Sequence, residues 1–201
     1  VRRKVFESRD AALFQDILAR AQIGELGLVD EDGYPRIVPV NFAYVQGAIY
    51  FHGALAGEKY DLLKKNPKAT FLAYQAFSPI PSTVLSRDGS ACPATIFYRS
   101  AYAKGRGQLV EEKAEKALAL QRLMEKDQPE GGYLDFLQNL DFYESALKSV
   151  GIFKVSVESF SVKDKFAQNK TPEQKAELVA FLERRGSPID LETARIIRED
   201  R

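Results

Sequence analysis

The chain has 201 residues, enough for one domain with a sizeable core, and its 45% hydrophobic and 28% charged residues are an ordinary globular composition. Its 29 basic and 28 acidic side chains leave a formal net charge of +1, which excludes a global pull toward nucleic acid or an anionic membrane surface. The single cysteine, Cys92, excludes an intrachain disulfide and a cysteine-based metal site, and favours a cytoplasmic protein.

No apolar run approaches the roughly 20 residues of a membrane helix. The N-terminus, VRRKVFESRD, is charged and no apolar signal-like segment follows it. The chain starts at Val1, so a short N-terminal piece is expected to precede it.

Ser8 can cap a helix over about 9–21, in which Leu13, Phe14, Ile17, Leu18 and Ala21 share a face. GELGLVD (24–30) reads as a strand and Glu31-Asp32-Gly33 as a hairpin turn. The next strand, 35–45, is mostly apolar on both faces, so neither should be freely solvated. Pro39 inside it implies an edge, a bulge, or a non-strand neighbour. Gln46-Gly47 turns the chain into a partner strand at 48–54.

ALAGEK leads into a short helix at 58–65, which Asn66-Pro67 stops. A strand at 68–77, a Pro- and Ser-rich loop at 78–94 and a strand at 95–110 follow. Residues 111–126 form a charged amphipathic helix whose buried side includes Ala114, Ala117, Leu118 and Gln121. A second helix is predicted at 133–148. The strand 151–164 changes its apolar parity near Glu158-Ser159, as a bulge would produce. Thr171 caps a helix with Pro172 at its first position, running to Arg185, and 190–199 adds a last short helix. The pattern predicts a mainly β, α+β fold: a six-stranded antiparallel barrel with peripheral helices.

Gly57-Glu58-Lys59 at a helix start offers close backbone approach, unpaired N–H groups and a point charge, the elements of a phosphate site. Arg36 could bind the same anion bidentately. Alone, these residues more usually make a turn and a solvated face. His52, the only histidine, could hydrogen-bond a cofactor or act as an acid–base group; a packed strand histidine is the plainer alternative. One histidine without a carboxylate cluster leaves no metal site. Arg99 and Ser100, in the polar stretch Tyr98–Lys104, could add donors to an anion or lie on an ordinary two-faced strand.

The ordered set RIVPVNF, YFHGALAGEK, NPKATF and YRS…G resembles the FMN-binding split-barrel proteins of the pyridoxamine-5′-phosphate-oxidase superfamily, nearest the nitroimidazole-reductase-like branch. The likeness covers roughly residues 9–125. It implies an FMN-binding split-barrel domain over 1–165, with a C-terminal helical extension at 166–201 packed on it. It also implies a homodimer with FMN at the interface. Val38, Pro39, Val40 and Asn41 would contact the flavin ring and ribityl chain. Arg36 would approach the phosphate or the ring edge, His52-Gly53 would lie against the flavin, and Lys59 would hold the phosphate. Ser100 and Arg99 would come from the later strand. Relatives often carry a second basic residue where this chain has Glu58, and the loop 78–94 is longer than in simple members.

The implied activity is FMN-dependent reduction of a small planar acceptor, nitro-aromatic or quinone-like, with His52 as the side chain for proton delivery or substrate contact. The alternative is a flavin- or haem-binding sensor without turnover. A nucleic-acid-binding barrel lacks a basic stripe.

Overall fold

The computed structural model describes residues 3–199. Val1, Arg2, Asp200 and Arg201, the outer limits of the expected domain division, lie outside the described residues. In chain order the elements are β1 (Glu7–Ser8), α1 (Ala11–Arg20), β2 (Ile23–Val29), β3 (Pro35–Asn41), β4 (Ala43–Val45), β5 (Ala48–Gly53), α2 (Glu58–Lys65), β6 (Lys68–Ile80), β7 (Thr95–Val110), α3 (Lys113–Asp127), α4 (Glu144–Ser149), β8 (Gly151–Lys165), α5 (Pro172–Arg185) and α6 (Pro188–Glu199).

The strands join one antiparallel sheet in the order β3-β2-β6-β7-β8-β5-β4, with β1 on β8. This is the split-barrel, α+β class expected from the sequence, with eight strands among the described residues rather than six. The excess arises at Phe42 and at β1. The expected strand 35–45 is interrupted at Phe42, whose carbonyl accepts a hydrogen bond from Lys126 Nζ at 3.0 Å. The two halves pair at opposite ends of the strand order: β3 with β2, β4 with β5. Gln46 and Gly47 both take positive φ (48° and 87°), the geometry of a tight hairpin between β4 and β5.

The chain divides into two compact units, each receiving part of β6, β7 and β8. The larger comprises Ala11–Ala73 and Ala101–Ser161. Its core holds Phe14, Leu26, Phe42, Phe51, Phe71 and Phe153, all nearly sealed from solvent. The helix α3 buries Ala117, Ala119, Gln121 and Leu123; Ala114, expected inside, is exposed. Glu112 caps α3 by accepting from the Ala114 and Glu115 N–H groups.

The predicted helix at 133–148 is mostly turns, and only α4 is helical. Asp135 explains the difference. Its carboxylate accepts the N–H groups of Leu137 and Gln138 at 2.8 Å, a capping pattern that takes the amides a helix begun at Tyr133 would need and starts the chain afresh after Asp135.

The other unit comprises the chain up to Asp10, Tyr74–Ser100 and Val162 onward. Phe77, Phe97 and Phe166 pack with Leu178, Leu182 and Ile197 of α5 and α6. A reciprocal bond between Thr171 and Gln174 caps α5, with Pro172 at its start and Gly186 left-handed at its end (φ 73°). β8 runs as one strand through Glu158-Ser159, and the division between the units falls after Ser161.

Candidate functional site

Strand β3 ends the sheet order and pairs only with β2, in the register Val38↔Leu26 and Pro39↔Glu25. That position explains Pro39, since an edge strand can spare the missing N–H. Apart from Val40, which is buried, β3 is exposed or half-buried, so this apolar strand is more solvated than its sequence leads one to expect.

Two small groupings form around it in the larger unit. At the start of β3, Arg36 Nε donates to Glu58 Oε2 at 2.7 Å. Lys59 follows Glu58 in the first turn of α2, and its Nζ lies 5.1 Å from the centre of the Phe51 ring and 5.4 Å from that of Phe153. Those rings are stacked at 10°. Gly53 makes room: a Cβ there would stand 2.6 Å from Lys59 Nζ. Burial lowers the Lys59 pKa below the ordinary lysine value. Among the described residues no carboxylate pairs with it. Gly57, at φ 99°, precedes the helix and no side chain caps it, so the first N–H groups of α2 have no intrahelical partner.

The second grouping is polar. Asn41 Nδ2 donates to Asp127 Oδ2 at 3.1 Å and stands 3.5 Å from His52 Nε2. His52 is exposed, so the reading of it as a packed strand histidine is set aside. Asp127 escaped the sequence reading. It is the last residue of α3, and nothing in its neighbourhood marks it as a partner of residues so distant in the chain.

Thus Arg36 pairs with Glu58, Lys59 lies against Gly53 and the Phe51–Phe153 pair, and Asn41 and His52 share another contact; no hydrogen bond or ring contact joins Arg36 to Lys59 among the described residues. Arg99 and Ser100 belong to the other unit. There the Arg99 guanidinium donates to Asp164 Oδ1 at 2.8 Å and lies 5.1 Å from the Phe166 ring. Among the described residues no cluster of His, Cys, Asp or Glu is fit to hold a metal, and no helix is long and apolar enough to cross a membrane.

The corner has a mixed charge. Glu58 lines a cleft of about 380 Å³ with Asp30, Glu31, Asp32 and Asp61. Lys59 is not among the residues lining that cleft; its Nζ lies against the aromatic pair. Lys59, Gly53 and the first amides of α2 are the groups that could hold a phosphate, while Arg36 is already paired with Glu58.

An edge strand bearing Arg-x-Val-Pro-Val-Asn, followed by a lysine at a helix start, on an antiparallel split barrel defines a class of small β-barrel protein. The family profile described as pyridoxamine 5′-phosphate oxidase matches residues 10–164, and the chain belongs to that family. Among solved structures, it is similar to a proposed 5-nitroimidazole antibiotic resistance protein from Bacteroides thetaiotaomicron at 22% identity, covering 78% of this chain and 85% of that one (TM-score 0.63). The flavocytochrome Anf3 from Azotobacter vinelandii is similar at 17% identity, with 85% and 75% of the two chains covered (TM-score 0.65). An FAD and heme binding protein from Mycobacterium smegmatis is similar at 16% identity, with 85% and 79% covered (TM-score 0.64). At these identities the likeness establishes the shared fold. No curated protein matches the chain.

Proposed function

We propose that this protein binds FMN and uses it to reduce a small planar acceptor of the nitro-aromatic or quinone type. The observation that carries the reading is Lys59: a half-buried cation with a lowered pKa, no carboxylate partner among the described residues, and glycine backbone beside it. Desolvating a lysine without a counter-charge is unfavourable, and a phosphate at the start of α2 relieves that cost. The names of the fold relatives support a flavin: one is a flavocytochrome and another binds FAD and heme. The relative associated with 5-nitroimidazole resistance supports the acceptor class.

In this reading Lys59 and the first amides of α2 hold the phosphate, and Arg36 joins them by leaving Glu58. Gly53 and His52 lie beside the flavin. Val38, Pro39, Val40 and Asn41 present the open edge of β3 to the ring and ribityl chain. When bound, the flavin supplies the redox chemistry. The chain's own part is to grip, orient and shield it. Asp127 holds the Asn41 amide, and His52, exposed with Nε2 toward that amide, is the side chain placed to meet an acceptor or hand over a proton. Residues 166–201 extend the same flavin domain. The active form is a cytoplasmic homodimer with FMN at the interface, which also covers the solvated apolar edge of β3.

The test is the visible spectrum of the purified protein, followed by FMN titration after the native chromophore is removed and by turnover with a nitro-aromatic or quinone acceptor. Flavin absorption with acceptor-dependent reoxidation is expected. A colourless protein that ignores added FMN would contradict flavin binding. A haem spectrum, or bound flavin without turnover on any such acceptor, would favour the sensor.

A further inference from the structure

Two adjacent residues at the end of α3 hold two adjacent residues at the break between β3 and β4. Lys126 Nζ donates to the Phe42 carbonyl at 3.0 Å, and Asp127 Oδ2 accepts from Asn41 Nδ2 at 3.1 Å. The lysine bond fixes backbone; the aspartate bond fixes a side chain. Lys126 also donates to the Leu18 carbonyl at 3.0 Å, and its Nζ lies 3.6 Å from the centre of the Phe42 ring. Two carbonyls and one ring match the three donors of an ammonium group, so the amine is held in place.

The strand register shows what the break leaves undecided. Ala43 pairs with Tyr50 and Tyr44 with Ile49. Continued past Ala43, that antiparallel count would set Asn41 opposite His52. The ladder stops first, and the Asn41 backbone pairs with Ile23 of β2 instead. Its side chain nevertheless stands beside β5, with Nδ2 3.5 Å from His52 Nε2. A backbone committed to β2 does not aim that amide at β5; Asp127 does. A carboxylate only accepts, so it draws the nitrogen end of the amide and sets which way round it stands. Asp127 occupies the last position of α3, where the helix dipole disfavours a negative charge, and no cation pairs with it among the described residues. Its place is thus unfavourable for the helix, and its bond goes to Asn41.

We propose that Asp127 and Lys126 are positioning residues that aim His52 through Asn41, so that the end of α3 sets how the imidazole meets an acceptor. This rests on the role given to His52 in the proposed flavin reaction.

His52 is the only histidine, so its ring signals stand alone in the NMR spectrum of the full-length protein, with or without flavin. Asp127→Ala and Lys126→Met are expected to move those signals. Asp127→Asn, whose amide oxygen can still accept from Asn41, is expected to return them toward the wild-type position. Asp127 is exposed, so its two variants decide the matter even if Lys126→Met does not fold. With FMN saturating and a quinone acceptor, Asp127→Ala is expected to lower kcat about tenfold at unchanged KM, and Asp127→Asn to recover most of it. Unmoved His52 signals in Asp127→Ala would overturn the proposal, as would a loss in Asp127→Asn equal to that in Asp127→Ala. Equal loss of FMN affinity and melting temperature in Asp127→Ala, with kcat retained, would reduce the pair to a support of the fold. A wild-type protein that binds no FMN would defeat the flavin reading, whereas the NMR comparison would still judge the aiming of His52.

Discussion

Lys59 is a half-buried cation that no carboxylate neutralises among the described residues. Its folded pKa lies below the ordinary 10.5, because burial penalises the ammonium form. FMN affinity should therefore fall with rising pH before an ordinary lysine would titrate, and Lys59→Ala should remove that fall. Gly53→Ala is a sharper probe. Its Cβ would collide with the flexible end of Lys59 rather than with backbone, so the fold should tolerate it. FMN affinity should drop about tenfold with the melting temperature nearly unchanged; unchanged affinity would remove Gly53 from the site. Glu58→Gln should tighten FMN several-fold by freeing Arg36, and a weaker complex would show that Glu58 is no competitor. Lys59 was legible in the sequence because a glycine, a lysine and a helix start lie together. Asp127 was not, because its bond to Asn41 joins residues 86 apart.

At the scale of elements, the joint between α5 and α6 rests on a buried carboxylate. Asp190 is 1% exposed. Arg185 grips both of its oxygens, Ser187 Oγ donates to it at 2.7 Å and Ser78 Oγ at 2.5 Å. Chiefly through Arg185, its pKa is held well below the ordinary 3.8. The unfolded chain takes up that proton first as pH falls, so the stability it gives is complete above about pH 4 and lost in stronger acid. Asp190→Ala leaves Arg185 unpaired and should cost about 3 kcal/mol in denaturant unfolding; a loss below about 1 kcal/mol would show the joint is held by packing instead.

Lys126 behaves oppositely. Burial brings its pKa down to about 8, while its Nζ donates to the carbonyls of Leu18 and Phe42. Between about pH 8 and 10.5 the unfolded chain binds a proton that the folded one has released, so this group makes the protein more stable as pH rises through that window. Lys126→Met should remove that rise; a rise of unchanged size in the variant would contradict it.

The same residue explains what the sequence concealed. β7 and α2 appear at their predicted limits because turn and cap residues bound them. The break at Phe42 does not show in an apolar run, because the carbonyl there is bonded by a lysine 84 residues away. The helix expected at 133–148 had apolar spacing in its favour, but Asp135 holds the amides of Leu137 and Gln138, so no helix runs through it from Tyr133, and only Glu144–Ser149 is helical.

For the molecule as a whole, the family and the split-barrel class were readable because a long ordered motif set survives in the chain, over residues 10–164. The strand count was not, since it depends on where one strand changes partners. An exposed apolar edge at β3 argues for a covered state in solution, and sedimentation should give twice the 22.5 kDa chain mass. A monomer at micromolar concentration would leave that edge unexplained. The central claim, that the corner at Lys59 holds a flavin by its phosphate, is tested most directly by comparing FMN with riboflavin, which lacks that group. The wild-type protein should bind FMN at least about tenfold more tightly than riboflavin, and Lys59→Ala should erase the difference by weakening FMN alone. An equal preference for FMN in wild type and variant would contradict it.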